Sequence, residues 1–256
     1  MSGPALLAGF GLGLVDLLLP ARCAACGVTT EDRTALCPGC SANLPRLPLE
    51  GCSLCQTRLH PTRATPAESP PRRCASCEAR RAPLDTCIAA AAFDGQAELS
   101  IRRFKYPERG LRGLDPAPRA VVEQLAREAS RRVPGPPPDL LVPVPLHPRR
   151  LRDRGFNQAA LLAHDIARSW GVPVAPRALR RVRDTPTQTG LGRQARRRNV
   201  AGAFRCRLAT PIPPRIWLVD DVVTTGSTLE EAARVLRRAG ARHVAGICAA
   251  RALAIH

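Results

Sequence analysis

The chain of 256 residues is 45% hydrophobic but only 3% aromatic, which suffices for one α/β core, built from Ala, Leu and Val, plus a small accessory module. The formal net charge is +18 and is unevenly spread: residues 1–85 carry nine Arg against seven acids, residues 86–256 thirty basic residues against fourteen acids. A basic second part attracts polyanions such as phosphates, nucleic acid or acidic lipid; a solvated Arg-rich surface is the plainer reading of the same charge.

The opening run Ala5–Leu19 is apolar but broken by Asp16 and too short for a membrane span. It lacks the basic start and small-residue cleavage site of an export signal, and Arg22 before Cys23 argues against a lipoprotein signal. Leu6–Leu18 is expected to be a helix, and Gly9, Gly11 and Gly13 follow no strand, so they form no dinucleotide loop. The expected compartment is the reducing cytoplasm, where structural disulfides are rare.

Four Cys-x-x-Cys pairs follow: Cys23/Cys26, Cys37/Cys40, Cys52/Cys55 and Cys74/Cys77. A two-residue gap brings both thiolates of a pair to one ion, and two such knuckles close a tetrahedral zinc site. Four knuckles imply two structural Zn²⁺ ions with no position left for water. Short loops favour sequential pairing, 23/26 with 37/40 and 52/55 with 74/77; an interleaved arrangement is the alternative. His60–Arg73 has no apolar periodicity and is read as a loop. Residues 1–85 form the expected N-terminal helix and double zinc module, and residues 86–256 the second domain.

From there short apolar runs alternate with helical patterns. Strands are expected at Cys87–Phe93, Leu140–Val144, Val172–Ala175, Ile216–Val219 and Val244–Ala250. Helices are expected at Pro116–Arg132, at Phe156–Trp170 with a stop at Gly171, and at Ser227–Ala239, where Ser227-Thr-Leu-Glu230 fits a capping box and Gly240 ends the helix. Such alternation implies a mainly parallel sheet covered on both faces, with ligands bound beyond the carboxyl ends of its strands. Cys87, Cys206 and Cys248 sit in apolar strand-like contexts and are read as core. Leu179–Asn199, dense in Arg with Arg180, Arg181, Arg183, Arg193, Arg196, Arg197 and Arg198, is read as a mobile basic lid, or more plainly a solvated charge run. The sole Lys among 39 basic residues is Lys105, in Arg102-Arg-Phe-Lys-Tyr106; a compact ammonium kept where the chain otherwise uses Arg marks it as a binding candidate.

The most informative segment is Leu218-Val-Asp-Asp-Val-Val-Thr-Thr-Gly-Ser-Thr228. A strand ends in twin carboxylates, then a hydroxyl-rich turn with Gly226 leads into a helix. Such a turn presents amides to a phosphate, and Gly226 allows close approach. Adjacent carboxylates repel unless ribose hydroxyls or Mg²⁺ bridge them. The turn lacks the Lys of a Walker loop.

Residues 218–228 resemble the binding signature of type I phosphoribosyltransferases. Within that class the chain resembles the competence protein ComF family and its gluconate-associated relatives. The resemblance covers nearly the whole chain: the cysteine knuckles, Phe104-Lys-Tyr106, Pro143-Val-Pro145 with His147-Pro-Arg-Arg150, Arg154-Gly-Phe-Asn-Gln158, Thr185-x-x-Gln188 with Arg197 and Asn199, and the Asp-Asp segment. It implies a phosphoribosyltransferase-like α/β fold and a site for phosphoribosyl pyrophosphate with Mg²⁺. In that site Asp220 and Asp221 hold the ribose hydroxyls, Thr224, Thr225, Gly226, Ser227 and Thr228 hold the 5′-phosphate, and Arg149 and Arg150 meet pyrophosphate. Departing pyrophosphate needs cations aimed at its oxygens. Purine-salvage members carry an Asp base where this chain has Thr224, which cannot take a proton at neutral pH, so purine salvage is disfavoured. The family's link to natural transformation implies DNA-uptake proteins and single-stranded DNA as partners. Two alternatives to a transferase stay open: a single-stranded-DNA-binding competence factor, for which stacking aromatics are few, and a non-catalytic sensor of phosphoribosyl pyrophosphate.

Overall fold

The computed structural model describes residues 20–253 apart from 31–33, 49, 58, 60–72, 80–81, 108–114, 134 and 186–192. The expected opening helix, the glycines before residue 19 and all of the His60–Arg73 loop except Arg73 lie outside the described residues. The elements in chain order are α1 (Pro38–Ala42), α2 (Ala75–Glu78), β1 (Thr86–Ala92), α3 (Gly95–Lys105), α4 (Ala117–Arg131), β2 (Leu140–Pro143), α5 (Pro148–Arg154) and α6 (Gln158–Trp170). They continue with β3 (Leu179–Arg181), α7 (Arg193–Val200), β4 (Phe204–Cys206), β5 (Arg215–Val223), α8 (Ser227–Arg238) and β6 (His243–Arg251).

The chain divides into two compact units, Met1–Pro45 with Asp94–Val122, and Arg46–Phe93 with Glu123–His256. In the first, α3 buries Ala97, Ser100, Ile101 and Phe104, spaced one helical turn apart on one face. Arg103 on the same helix donates to the carbonyls of Cys23 and Ala24 at 3.3 and 3.0 Å.

The second unit holds a four-stranded sheet in the order β1-β6-β5-β2, every pairing parallel. Parallel strands buried on both faces need near-continuous apolar runs, and Leu140–Pro143 and Val244–Ala250 are buried at every position. Helix α6 packs on β5 and β2, and α8 on β5 and β6. Gly246 permits the second contact: a Cβ there would lie 3.2 Å from both Cys87 Sγ and Leu229 Cδ1, so the absence of a side chain lets α8 approach the sheet. Trp170 and Trp217 meet edge to face, ring centroids 4.8 Å apart. Cys87 and Cys248 are core residues as expected, while Cys206 at the end of β4 is half-buried.

Four sequence expectations change. Val172–Ala175 forms a single parallel bridge, Leu141 with Val174, made by the Leu141 N–H to the Pro173 carbonyl and the Ala175 N–H to the Leu141 carbonyl. The strand expected to end at Val219 continues as β5 to Val223, because β6 pairs with it as far as Arg251. Helix α8 is capped by Gly226, with no side-chain cap, so Ser227 occupies its first turn and the capping box does not form. The presumed lid begins in β3, which pairs antiparallel with β4, and ends in helix α7; residues 186–192 between them lie outside the described residues.

Candidate functional site

Two clusters of four thiols form from the eight knuckle cysteines, Cys23/Cys26/Cys37/Cys40 and Cys52/Cys55/Cys74/Cys77, with the sulfurs of each within 4.8 Å of one another. This is the sequential pairing. Tetrahedral zinc with Zn–S bonds of about 2.3 Å places its sulfurs about 3.8 Å apart. Cys26 and Cys37 Sγ lie 3.8 Å apart and Cys55 and Cys74 Sγ 3.6 Å, so both clusters fit a structural Zn²⁺ ion. Crowding polarises the thiols. Burial and the neighbouring thiols push Cys40 up to about 12, while at Cys23 backbone amides outweigh burial and bring the thiol down to about 6. In the second cluster the Cys52–Cys55 hydrogen bond lowers Cys55 to about 7 and, with burial, raises Cys52 to about 11. A bound dication would stabilise the thiolate at every position.

The second candidate is the corner from β5 into α8. Asp220 is half-buried and Asp221 buried, and the Asp220 carboxylate accepts the Asp221 N–H at 2.9 Å. The β5–β6 ladder keeps one register from Arg215 opposite His243 to Val223 opposite Arg251, so the acidic pair lies within it. After β5, Gly226 adopts a left-handed φ of 79°, and the Thr225 and Ser227 hydroxyls share a hydrogen bond at 2.8 Å. Gly226 brings no capping side chain of its own, and the Thr225 hydroxyl accepts from the first-turn Ser227 N–H at 3.5 Å, so the amides of α8 begin at this turn. Glu230 is buried one turn in and pairs with Arg197 at 3.3 Å.

The cations flanking this corner come from α5 and β3. Arg150 donates to the Thr185 carbonyl and Arg181 to the Thr185 hydroxyl, so two guanidinium groups converge on one residue. Arg181 is only 6% exposed, and its Nε has no hydrogen-bond partner among the described residues. Burial lowers its affinity for a proton, Arg150 lowers it further, and Asp220 and Asp184 act in the opposite sense. Its guanidinium lies 5.7 Å from the Phe204 ring centroid. Arg149 is instead exposed and paired with Asp184 at 3.5 Å. His147 caps α5, its Nδ1 accepting from the Arg149 N–H at 3.4 Å. Asn157 caps α6 and donates to the Val144 carbonyl at 3.1 Å, tying the loop after β2 to that helix. Lys105 closes α3 in the first unit.

The structure therefore separates the two candidate arginines, Arg150 beside Arg181 and Arg149 on Asp184. The sequence placed Arg181 in a lid; the structure buries it on β3 opposite Phe204, a placement that the Leu-Arg-Arg run, with a charge at its buried third position, does not signal.

These features define an α/β protein whose parallel sheet is flanked by helices and which carries an N-terminal Cys-rich, zinc-ribbon-like module. No family model matches the chain. Competence protein F of Haemophilus influenzae is 30% identical over 226 residues, covering 87% of this chain and 93% of that protein. The DNA utilization protein YhgH of Salmonella typhi is 32% identical over 232 residues, 90% of each chain. Competence protein ComFC of Streptococcus pneumoniae is 30% identical over 103 residues, 40% of this chain and 44% of that protein. The chain belongs to the ComF/YhgH family.

Proposed function

We propose that the protein is a cytoplasmic phosphoribosyltransferase that binds phosphoribosyl pyrophosphate at the β5–α8 corner and serves DNA uptake or utilization. Asp220 and Asp221 take the ribose hydroxyls, and the turn Thr224–Thr228 with the α8 amides takes the 5′-phosphate. Arg150 and Arg181, with Arg149 at the rim, take the pyrophosphate. The observation that carries this reading is the buried guanidinium of Arg181: desolvated, repelled by Arg150 and with an unpartnered Nε among the described residues, it calls for an anion beside Asp220.

The chemistry follows from charge. As the bond from ribose C1 to the pyrophosphate oxygen breaks, the pyrophosphate gains negative charge that the two guanidiniums stabilise, while the sugar becomes oxocarbenium-like and the adjacent carboxylates hold its hydroxyls. Mg²⁺ supplies further charge neutralisation at the leaving group. Among the described residues the groups spaced to hold a metal are the two cysteine sets, whose soft sulfurs do not suit Mg²⁺, so Mg²⁺ is expected to arrive with the substrate. The acceptor must bring its own nucleophile, since Thr224 is no base.

Calorimetry with Mg²⁺ and phosphoribosyl pyrophosphate tests the binding. Wild type should bind, and an Asp220→Asn/Asp221→Asn double variant should bind at least tenfold more weakly. Absence of heat with wild type would refute the site. Pyrophosphate release across an acceptor panel, abolished in Asp221→Asn with the fold intact, tests turnover; binding without release would leave a sensor.

A second reading, single-stranded DNA binding, draws on the end of α3, where Arg102 and Lys105 precede the exposed Tyr106 while Arg103 is held by the Cys23 and Ala24 carbonyls. Base stacking on Tyr106 and phosphate contacts to the basic turn would give affinity that falls steeply with salt and weakens in Tyr106→Ala. Salt-independent binding would exclude it.

A further inference from the structure

β1 is an edge strand of the sheet. An edge presents N–H and C=O groups that require partners. On β1 they are met by the third cysteine knuckle, Cys52/Cys55, and toward its end by Leu47, whose N–H donates to the Ala90 carbonyl at 2.8 Å. The Cys87 N–H donates to the Ser53 carbonyl at 2.7 Å, and the Thr86 hydroxyl donates to the same oxygen at 2.7 Å. The Gln56 side chain takes both groups of Ala89: Oε1 accepts the N–H and Nε2 donates to the carbonyl, each at 2.8 Å. The Cys87 carbonyl accepts from Arg251 Nη2 at 2.9 Å; the same nitrogen donates to Leu54 at 2.9 Å, and Nε donates to Gln56 Oε1 at 3.1 Å. Gln56 and Arg251 are both buried.

Ser53, Leu54 and Gln56 belong to the turn that starts at Cys52 and passes through Cys55. Gln56 has a φ of 55°, the one non-glycine residue with positive φ among those described. Such a backbone persists only when its surroundings hold it. Backbone hydrogen bonds close the turn, Gln56 N–H to the Cys52 carbonyl at 2.8 Å and Cys52 N–H to the Thr57 carbonyl at 2.9 Å, and an ion bound by the four converging sulfurs would fix it against the Cys74/Cys77 knuckle. Arg251, in turn, sits at the end of β6 in register with Val223, and the Ala252 N–H donates to the Val223 carbonyl at 2.9 Å. The knuckle is thereby joined to the strand end that carries Asp220 and Asp221.

We propose that the metal held by Cys52, Cys55, Cys74 and Cys77 is a working part of the α/β sheet. By holding the Cys52–Gln56 turn it supplies the neighbour of β1 at Cys87–Ala89, and through Gln56 and Arg251 it positions the ends of β6 and β5. The other cluster, Cys23/Cys26/Cys37/Cys40, has no such role; the two chemically identical sites differ in what they control. The inference does not depend on what the corner binds.

Amide hydrogen exchange on the full chain, with zinc content measured alongside, tests this. Cys74→Ser and Cys37→Ser should each lose one zinc. Exchange in residues 86–92 and 216–223 should quicken at least tenfold in Cys74→Ser and change less than twofold in Cys37→Ser. If Cys74→Ser does not fold, Gln56→Leu and Arg251→Met decide: each should keep both zinc ions yet quicken exchange in those two segments. Gln56→Glu, which keeps the acceptor for Ala89 but loses the donor, should fall between wild type and Gln56→Leu. Equal loosening by Cys37→Ser, or unchanged exchange in Gln56→Leu and Arg251→Met, would overturn the proposal.

Discussion

Replacing Arg181 by Met should separate stability from ligand binding. The guanidinium is 6% exposed and shares Thr185 with Arg150. At an effective dielectric of 20, two cations separated by roughly 6 Å would repel by about 3 kcal/mol. Against that stand a charge-assisted hydrogen bond to the Thr185 hydroxyl, about 1.5–3 kcal/mol, and the contact with Phe204, about 0.5–1 kcal/mol. Burial of the charge adds to the repulsion while Asp220 and Asp184 offset it, so opposing contributions meet at this guanidinium, and Met restores most of the buried volume. Arg181→Met should therefore melt within a few degrees of wild type in the absence of ligand. Its affinity for Mg²⁺-phosphoribosyl pyrophosphate, however, should fall by about 10–100-fold, the loss of one or two charge-assisted hydrogen bonds to the anion. Differential scanning calorimetry and isothermal titration calorimetry read the two quantities. A large fall in melting temperature with unchanged affinity would show that Arg181 is structural and that no anion is held there.

Glu230 is buried near the phosphate turn and neutralised by Arg197, so Arg197→Gln should weaken phosphate-ligand binding, by about tenfold for a screened carboxylate–dianion repulsion of ~1–2 kcal/mol. Adding Glu230→Gln should restore much of it; additive losses in the calorimetric double-mutant cycle would contradict this account. Gly226→Ala forces a Cβ into the left-handed region and should cost about 1–2 kcal/mol of stability, read by urea unfolding, as well as ligand affinity. The Asp139 carboxyl is held below its ordinary range by hydrogen bonds from Arg215, which join the start of β5 to the start of β2. A depressed carboxyl contributes stability above its unfolded pKa of about 4, lost as pH falls through the folded value. Asp139→Asn should therefore destabilise the protein at pH 7 and lose less between pH 5 and 3 than wild type; parallel pH–stability curves would refute the assignment.

Much of the fold was legible because its signals are local. The runs at Cys87–Phe93, Leu140–Val144 and Val244–Ala250 became β1, β2 and β6, since a strand buried on both faces must be apolar throughout. The Val121, Val122, Leu125 and Ala129 spacing became the buried stripe of α4. Gly95–Lys105 and Pro148–Arg154 escaped notice because their Arg-rich turns dilute the helical periodicity. The short pair β3 and β4 escaped because each strand is only three residues long and its partner is distant in sequence.

The sequence by itself determined the covalent chemistry: eight thiols in knuckles, twin carboxylates before a hydroxyl-rich turn, and Gly226 where the backbone needs a positive φ. Spacing along a chain is enough for these, since each depends on neighbours a few residues away. Tertiary structure bore out the sequential knuckle pairing that loop length favoured, and alone decided which of two adjacent arginines joins Arg181. It also decided that Gln56 and Arg251, nearly two hundred residues apart, close the edge of the sheet. Those outcomes depend on how distant backbone groups find hydrogen-bond partners once the strands have paired, and no local pattern encodes that.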